Sequence, residues 1–518
     1  MSNISTHKTK SRVAVIGAGI GGLTAAALLA HRGYSVLVLD QALVPGGCAS
    51  TFKRRGFTFD VGATQVAGLE PGGIHHRIFS ELGIDLPAAT PCDPACAVYL
   101  PGENTPINVW RDPQKWREER QRQFPGSEPF WQMMAVLFEA SWQFQGRDPV
   151  LPPRSLWDLW QLTQAVRPST LITVPYTLFT VGDALRFYGL GNDHRLKTFL
   201  DLQLKLYSQV DTEETALLYA ATALSVSQLP QGLFHLQGSM QVLSDRLVES
   251  LTRDGGKLLM RHTVEQIQVE NNQATAVVIR NQQTGEICTE AVDHVVANVT
   301  VQNLVQLLGE KTPSGYKNRV EKLPQASGAF VVYLGVDISA IPPDCPPHLQ
   351  FLYDVDGPIG ENNSLFVSVS HQGDGRAPVG KATIIASSFV DPAPWWETNN
   401  YQGLKQKYTE DAIARLSQYF YLKPETIIHQ EAATPRSFAH YTGRDRGIVG
   451  GIGQRIPTFG PFGFANRTPI NHLWLVGDST HPGEGTAGVS YSALTVVRQI
   501  EAKSQRKSAK KVTPDQYP

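Results

Sequence analysis

Residues 12–40 read Arg12-Val-Ala-Val-Ile-Gly17-Ala-Gly19-Ile-Gly-Gly22-Leu-Thr-Ala-Ala-Ala-Leu-Leu-Ala-His-Arg32-Gly33-Tyr-Ser-Val-Leu-Val-Leu-Asp40, and this stretch decides the fold. The β-branched run before Gly17 suits a buried parallel strand. The Ala/Leu-rich segment after Gly22 suits a helix, and Gly33 stands where a helix C-cap belongs. The run ending at Asp40 reads as a second strand, completing one strand–helix–strand unit. Gly17 makes the tight turn, Gly19 lets backbone approach a pyrophosphate, and Gly22 lets helix and strand pack closely. The helix N-terminus offers free N–H groups and a positive dipole end to phosphates. Asp40 is placed to accept hydrogen bonds from ribose hydroxyls, which suits either NAD or the adenosine half of FAD. The fold class expected is α/β (α+β), with a Rossmann-like dinucleotide domain.

The rest of the chain is consistent with a large two-domain enzyme. Lys plus Arg number 46 and Asp plus Glu 47, a balance that argues against a nucleic-acid binder. Hydrophobic content of 42% with 18% charge excludes a disordered protein. Cysteines at 48, 92, 96, 288 and 345 are dispersed and odd in number, which points to a reducing, cytoplasmic compartment without a disulfide framework. Cys92 and Cys96 lack a second ligand pair nearby, so no metal site is expected. Residues 1–10 are polar and lack the apolar core of a secretory signal. No uncharged apolar run is long enough to span a bilayer. The tail carrying Lys503, Arg506, Lys507, Lys510 and Lys511 reads as solvated and disordered, weakly attractive to anionic lipid.

Outward from the first unit, Pro45-Gly46-Gly47 follows the acid, then Arg55-Gly-Phe-Thr-Phe-Asp60-Val-Gly62. Near the other end, Leu473-Trp-Leu-Val-Gly477-Asp478 closes a strand, followed by Ser-Thr-His-Pro-Gly-Glu484-Gly485-Thr-Ala-Gly488-Val489 and a helix to about Ile500. Taken alone, Asp478 reads as a helix-capping residue. Together these motifs resemble the FAD-dependent amine oxidase and phytoene desaturase superfamily. The resemblance implies that FAD is the nucleotide, that Asp478 binds its ribityl chain, and that the following helix aims N–H groups at the pyrimidine end of the flavin. Reduced flavin gathers negative charge there, which a helix N-terminus stabilises. The stretch Ala433-Thr-Pro-Arg-Ser-Phe-Ala-His-Tyr441-Thr-Gly443-Arg-Asp-Arg-Gly447-Ile-Val-Gly-Gly451 narrows the likeness to carotenoid desaturases and carotene isomerases. Its details look most like the cyanobacterial carotenoid 3′,4′-desaturase branch. Two positions depart from the pattern: Cys48 follows the Gly-Gly turn where Arg is common, and Gly238-Ser239 stands where the family has Gly-Gly.

A middle segment, Leu258-Leu-Met-Arg-His-Thr-Val264-Glu-Gln-Ile-Gln-Val269, reads as one strand, with a hairpin partner at 275–279 after Asn271 and Asn272. By resemblance, Val264 lays its backbone against the adenine ring. The expected cofactor-binding residues are therefore Gly17, Ala18, Gly19, Ile20, Gly22, Asp40, Gly46, Gly47, Val264, Gly477, Asp478, Gly488 and Val489. The FAD-binding domain of this GR2-type flavoprotein is expected at 10–90, 225–305 and 465–505. A mixed sheet-and-helix substrate domain takes 91–224 and 306–464, and a basic tail 506–518.

Six of the nine tryptophans, at 110, 116, 131, 142, 157 and 160, crowd into the first part of the substrate domain. The segment 155–179 adds Leu171, Ile172, Tyr176 and Phe179, with Asp158 and Arg167 as its charges. Such a segment is either helical core or a monotopic membrane patch. A carotenoid resides in the bilayer, so the resemblance favours the patch, and with it a cytoplasmic protein peripheral on a membrane. It also implies a desaturase that removes a hydride from an acyclic carotenoid of the lycopene or hydroxylycopene type to flavin N5, with a quinone or O2 as final electron acceptor. The flavin carries the hard step, and no G-x-S-x-G or H-E-x-x-H motif occurs. The catalytic residues stay unassigned. Glu484 and His481 are candidates for the released proton, although a Pro-Gly-Glu-Gly turn by itself reads as solvent-exposed. Competing readings are a carotene cis–trans isomerase using reduced FAD, a ketolase, a polyamine-type oxidase, and a non-catalytic prenyl-binding protein of the Rab escort type. The intact glycines, Asp40 and Gly477-Asp478 argue against the last.

Overall fold

The run Arg12–Ile16 is the central strand of a five-stranded parallel sheet in the computed structural model, which describes residues 11–510, with side chains through 504. The order is Leu473–Leu475, His294–Ala297, Arg12–Ile16, Ser35–Asp40, Lys257–Met260. Covered on both faces, the central strands are apolar through their middles, at Val13–Ile16, Val36–Leu39 and Val295–Ala297. On one face lies the helix Ile20–His31, buried on every side from Ile20 to Ala30. Its small alanines let the helices Gln241–Arg253 and Gly485–Lys510 pack close, through Leu243, Leu247, Val496 and Val497. On the other face sits an antiparallel meander of His262–Glu270, Gln273–Asn281 and Ile287–Ala291, with Ile267 and Val277 packed on Ala14, Ile16 and Leu39.

Two expectations are corrected here. The segment 258–269 is two strands rather than one, because Arg261 adopts φ +60° and turns the chain. Residues before it extend the parallel sheet and residues after it begin the meander. The final helix does not stop near Ile500 but runs to Lys510, and the Glu501 carboxylate pairs with Arg32. The side chains of the basic tail 506–518 lie outside the described residues.

The second unit is a seven-stranded sheet, in the order Ile427–Ala433, Gly328–Asp337, Lys381–Val390, Ser364–Val369, His348–Leu352, Cys96–Tyr99, Ile107–Val109. All its pairs are antiparallel except that of Cys96–Tyr99 with His348–Leu352. Helices Pro113–Gln123, Glu128–Gln145, His194–Ser208 and Leu217–Ser225 share a core containing Trp116, Trp131, Phe130 and Phe199. Two of the clustered tryptophans are therefore core. Among the described residues, no helix is long and apolar enough to cross a membrane.

A buried ion pair ties the two units together. Asp60 Oδ2 accepts from Arg376 Nε and Nη2 at 3.1 and 3.0 Å, while its Oδ1 accepts from the Met240 N–H at 2.8 Å. Arg376 Nη1 donates to Leu236 O at 2.7 Å, and Asp374 Oδ1 accepts from the Arg376 N–H at 2.9 Å. Both partners are at most 2% exposed, so losing one leaves an uncompensated buried charge. Arg376→Met should cost about 3–5 kcal/mol of stability, measured by denaturant unfolding. A loss below ~1 kcal/mol would contradict this role.

Candidate cofactor and substrate site

The C-terminal ends of the parallel strands face the seven-stranded sheet across one continuous cavity of about 1260 Å³. Ordinary small-molecule pockets span roughly 300–1,000 Å³, so this one has room for more than one ligand. In open parallel sheets such a crevice forms where neighbouring strands lead off in opposite directions, as they do on either side of Arg12–Ile16.

At its first end the wall is Gly17, Gly19, Ile20, Asp40, Gly46 and Gly47. Gly17 (φ +94°) makes the turn out of the strand, and the Gly46 N–H donates to Ala18 O at 2.8 Å. Gly19 is the N-cap of the helix and brings no capping side chain, which leaves the first-turn N–H groups available. Asp40 Oδ2 accepts from the Ala18 N–H at 2.6 Å and Oδ1 from the Ala42 N–H at 2.7 Å. Burial raises the Asp40 pKa against the pull of those donors. Two of the expected contact residues do not line the cavity. Ala18 has its N–H committed to Asp40, and Gly22 is packed where a Cβ would lie 2.0 Å from Gly17 O. Val264 does line it, beside a bulge in the meander between Val264 and Gln266.

Adjoining it across Asn298, the wall continues with Gly477, Asp478, Gly488 and Val489, and the final helix starts at Gly485. Asp478 Oδ2 accepts from Arg444 Nη2 at 2.8 Å. Arg444 also donates through Nε to Ile448 O at 2.7 Å and through Nη2 to Gly450 O. Sequence reasoning quoted Arg444 within a motif but gave it no role, since its partner arrives from a distant segment. Asn298 was passed over as well, although its side chain lies among the glycines of both loops. Cys48 is beside Arg444 and Asp478, and burial raises its thiol pKa.

The Pro-Gly-Glu-Gly turn is less exposed than its sequence alone suggests: Gly485 is exposed, but Pro482 and Glu484 are half-buried and Gly483 is buried. Glu484 faces the cavity, its Oε2 accepting from Gln209 Nε2 at 3.1 Å and its Oε1 from Gln454 Nε2 at 3.5 Å. Burial and the neighbouring Asp478 push its pKa up to about 8. His481 Nε2 lies 2.9 Å from Gln145 Oε1, and burial lowers its pKa to about 4, so its ring is neutral at pH 7.

Beyond these two loops the cavity is an apolar chamber walled by Leu202, Leu206, Leu218, Val331, Phe366 and Phe389. Its mouth includes Leu171, Thr173, Val174 and Thr177. Around that mouth the surface is apolar: Leu156 is 80% exposed, Trp160 59%, Leu171 56% and Leu178 64%. Two rings expected on this surface turn inward instead. Trp157 lies under the Arg498 guanidinium at 5.7 Å, and Tyr176 packs on the helical core. Asp158 is fully buried against Arg467 Nε at 2.9 and 2.8 Å, so it pins the segment to the nucleotide unit and leaves Arg167 as its surface charge.

Residues 15–82 match a family described as an NAD(P)-binding Rossmann-like domain. Over 94% of its length the chain is 28% identical to prolycopene isomerase 1 of an Oncidium hybrid cultivar, covering 83% of that protein. Over the same share it is 25% identical to the zeta-carotene-forming phytoene desaturase of Myxococcus xanthus, covering 93% of that protein. Cyclohexylamine oxidase from Brevibacterium oxydans IH-35A superposes with a TM-score of 0.60 at 16% identity, over 95% of this chain and 100% of that one. That likeness establishes the fold: a Rossmann-like domain joined to a mixed sheet-and-helix unit. The resemblance read from the motifs, to the carotenoid desaturases and isomerases of the amine oxidase superfamily, is borne out along nearly the whole chain.

Proposed function

We propose that this relative of the carotenoid desaturases and isomerases is an FAD-dependent oxidoreductase that introduces a C=C bond into an acyclic carotenoid of the lycopene or hydroxylycopene type. The observation that carries the reading is the continuity of one cavity, from a glycine-built dinucleotide cradle to an apolar chamber opening at an exposed apolar surface. The residues fit FAD better than NAD. Asp40 and the uncapped helix start at Gly19 suit an adenosine diphosphate, and a second helix start at 485–489 lines the same cavity, as a flavin would need.

When bound, FAD supplies the two-electron acceptor that no side chain can provide. The chain's own groups bind and exclude. The first-turn N–H groups after Gly19 would hold the pyrophosphate, with Asp40 and Val264 fixing the adenosine half. Asp478, oriented by Arg444, would hold the ribityl hydroxyls, and the N–H groups near Gly488 and Val489 would favour negative charge on the ring system. Leu202, Leu218 and Phe389 keep water from the polyene. A quinone or O2 would be the terminal electron acceptor.

The mouth segment supports peripheral contact with a membrane, through which a bilayer-dissolved polyene could enter. A second reading, cis–trans isomerisation with reduced FAD, is favoured by the 28% identity to a prolycopene isomerase.

Purified protein should be yellow and should convert lycopene or hydroxylated lycopene in liposomes to a more unsaturated product, followed by chromatography. Conversion of cis-lycopene to all-trans product without net oxidation would establish the isomerase instead, and no conversion of any of the three would reject both readings. Asp40→Ala should weaken flavin binding by ~1.5–3 kcal/mol, through loss of charge-assisted hydrogen bonds, as read by titration calorimetry. Unchanged affinity would remove Asp40 from the site. Because Ile172 and Phe179 are 48% and 40% exposed, Ile172→Asp with Phe179→Asp should melt normally yet fail to float with liposomes. A double variant that floats as well as the parent would exclude this segment as the anchor.

A further inference from the structure

We propose, resting on the reading of the cavity as a carotenoid-oxidising site, that Glu484 is the group that takes the proton leaving the polyene, and that the polar pocket behind Gln209 and Lys205 is its route to solvent. Glu484 sits where the Asp478 end of the cavity meets the apolar chamber. Its two oxygens are held by the side-chain amides of Gln209 and Gln454, from two different elements, so the carboxyl is aimed without being neutralised by a cation. The charged and titratable groups around it are accounted for. Arg444 is committed to Asp478, Ile448 O and Gly450 O, and the Tyr219 hydroxyl donates to Tyr207 O. Its other ionised neighbour, Asp478, is of like charge.

His481, the alternative proton acceptor in the same loop, fits less well. Its Nε2 is tied to Gln145, its Nδ1 is buried without a partner, and a pKa near 4 makes it a poor holder of a proton at neutral pH. A carboxyl with a pKa of about 8 holds one readily and still gives it up.

The exit is read from the shared wall. Gln209 follows the helix His194–Ser208 at φ +69°, and its backbone O accepts from Lys205 Nζ at 3.0 Å. Lys205 and Gln209 line both the main cavity and a second pocket of about 270 Å³, which also holds Asp211, Glu214 and Arg455. Gln209 therefore stands between Glu484 and a polar, charged space distinct from the apolar chamber, into which the proton would exchange through water rather than through the amide.

The chemistry balances. Two C–H bonds on adjacent carbons break and one C=C π bond forms. One hydrogen leaves with both electrons to oxidised flavin held in the cradle. The other leaves as a proton to a Glu484 oxygen, which stays neutral until that proton exchanges into the side pocket.

The test compares the parent with Glu484→Gln and Glu484→Asp. In single turnovers with liposomal lycopene or hydroxylated lycopene, product formation by the parent should rise with pH to a plateau above about 8. Glu484→Gln should be slower by about 10²-fold and flat with pH, while Glu484→Asp should keep a pH-dependent rise. A second readout needs no flavin. A carboxyl whose folded pKa lies above its ordinary 4.5 stabilises the fold fully at pH below 4.5 and loses that contribution as pH rises through about 8. The fall in Tm of flavin-free protein from pH 5 to 9 should therefore be smaller in Glu484→Gln than in the parent. Identical pH–rate profiles or identical pH dependence of melting would overturn the assignment, and so would a parent rate that falls across this range, which would make Glu484 a donor. If the parent converts neither polyene at any pH, the carotenoid reading fails, and the melts alone decide whether Glu484 carries the proton.

Discussion

The nucleotide end of this protein is built against a single residue, Asn298, which follows the strand His294–Ala297. A Cβ on Gly17 would lie 2.6 Å from the Asn298 carbonyl oxygen, one on Gly19 2.8 Å from its Nδ2, and one on Gly21 3.0 Å from its Oδ1. Gly477, from the opposite loop, would place a Cβ 3.3 Å from the same Oδ1. The turn after the first strand, the start of the first helix and the loop of the last strand thus converge on one amide. Glycines that a motif reading assigns to phosphate approach are also demanded by protein packing. Replacing any of them would be felt with no ligand present.

Much of the first sheet was legible because its signals are local. Strand, turn, Ala-rich helix and acid occupy 12–40 in unbroken order, and Gly477-Asp478 repeats the strand-then-loop pattern at the other end. What was not legible depends on distant partners. Cys96–Tyr99 has no strong strand signal of its own, and it joins the large sheet by pairing with His348–Leu352. Nothing in the sequence marks the break at Arg261, since a left-handed turn is usually announced by glycine or asparagine. Composition identified the aromatic segment at 155–179 but not its facing: the Asp158–Arg467 pair rotates Trp157 inward and leaves Trp160 out. Arg444 was hidden for the same reason, because its role exists only once Asp478 is brought beside it.

The cavity combines two electrostatic regimes that share one wall. At its dinucleotide end, backbone N–H groups and helix starts create a field suited to anions. In the chamber, aliphatic and aromatic walls exclude water and raise the cost of any charge. Glu484 and His481 lie on the border and respond as desolvated groups do, the acid becoming harder to ionise and the imidazole harder to protonate. The two regimes thus adjoin in one cavity without any intervening partition.

The strand order has a consequence for how the protein is made. Leu473–Leu475 completes the parallel sheet beside His294–Ala297, and the helix Gly485–Lys510 covers Ile20–His31. On a ribosome adding roughly 5–20 residues per second, the first helix is covered in two steps, by Gln241–Arg253 and only later by Gly485–Lys510. Until the second step, part of the buried surface of Ile20–His31 and the outer edge of His294–Ala297 stay bare, the condition that invites aggregation. The two walls that would clamp a nucleotide likewise meet only once both of these distant segments have been made.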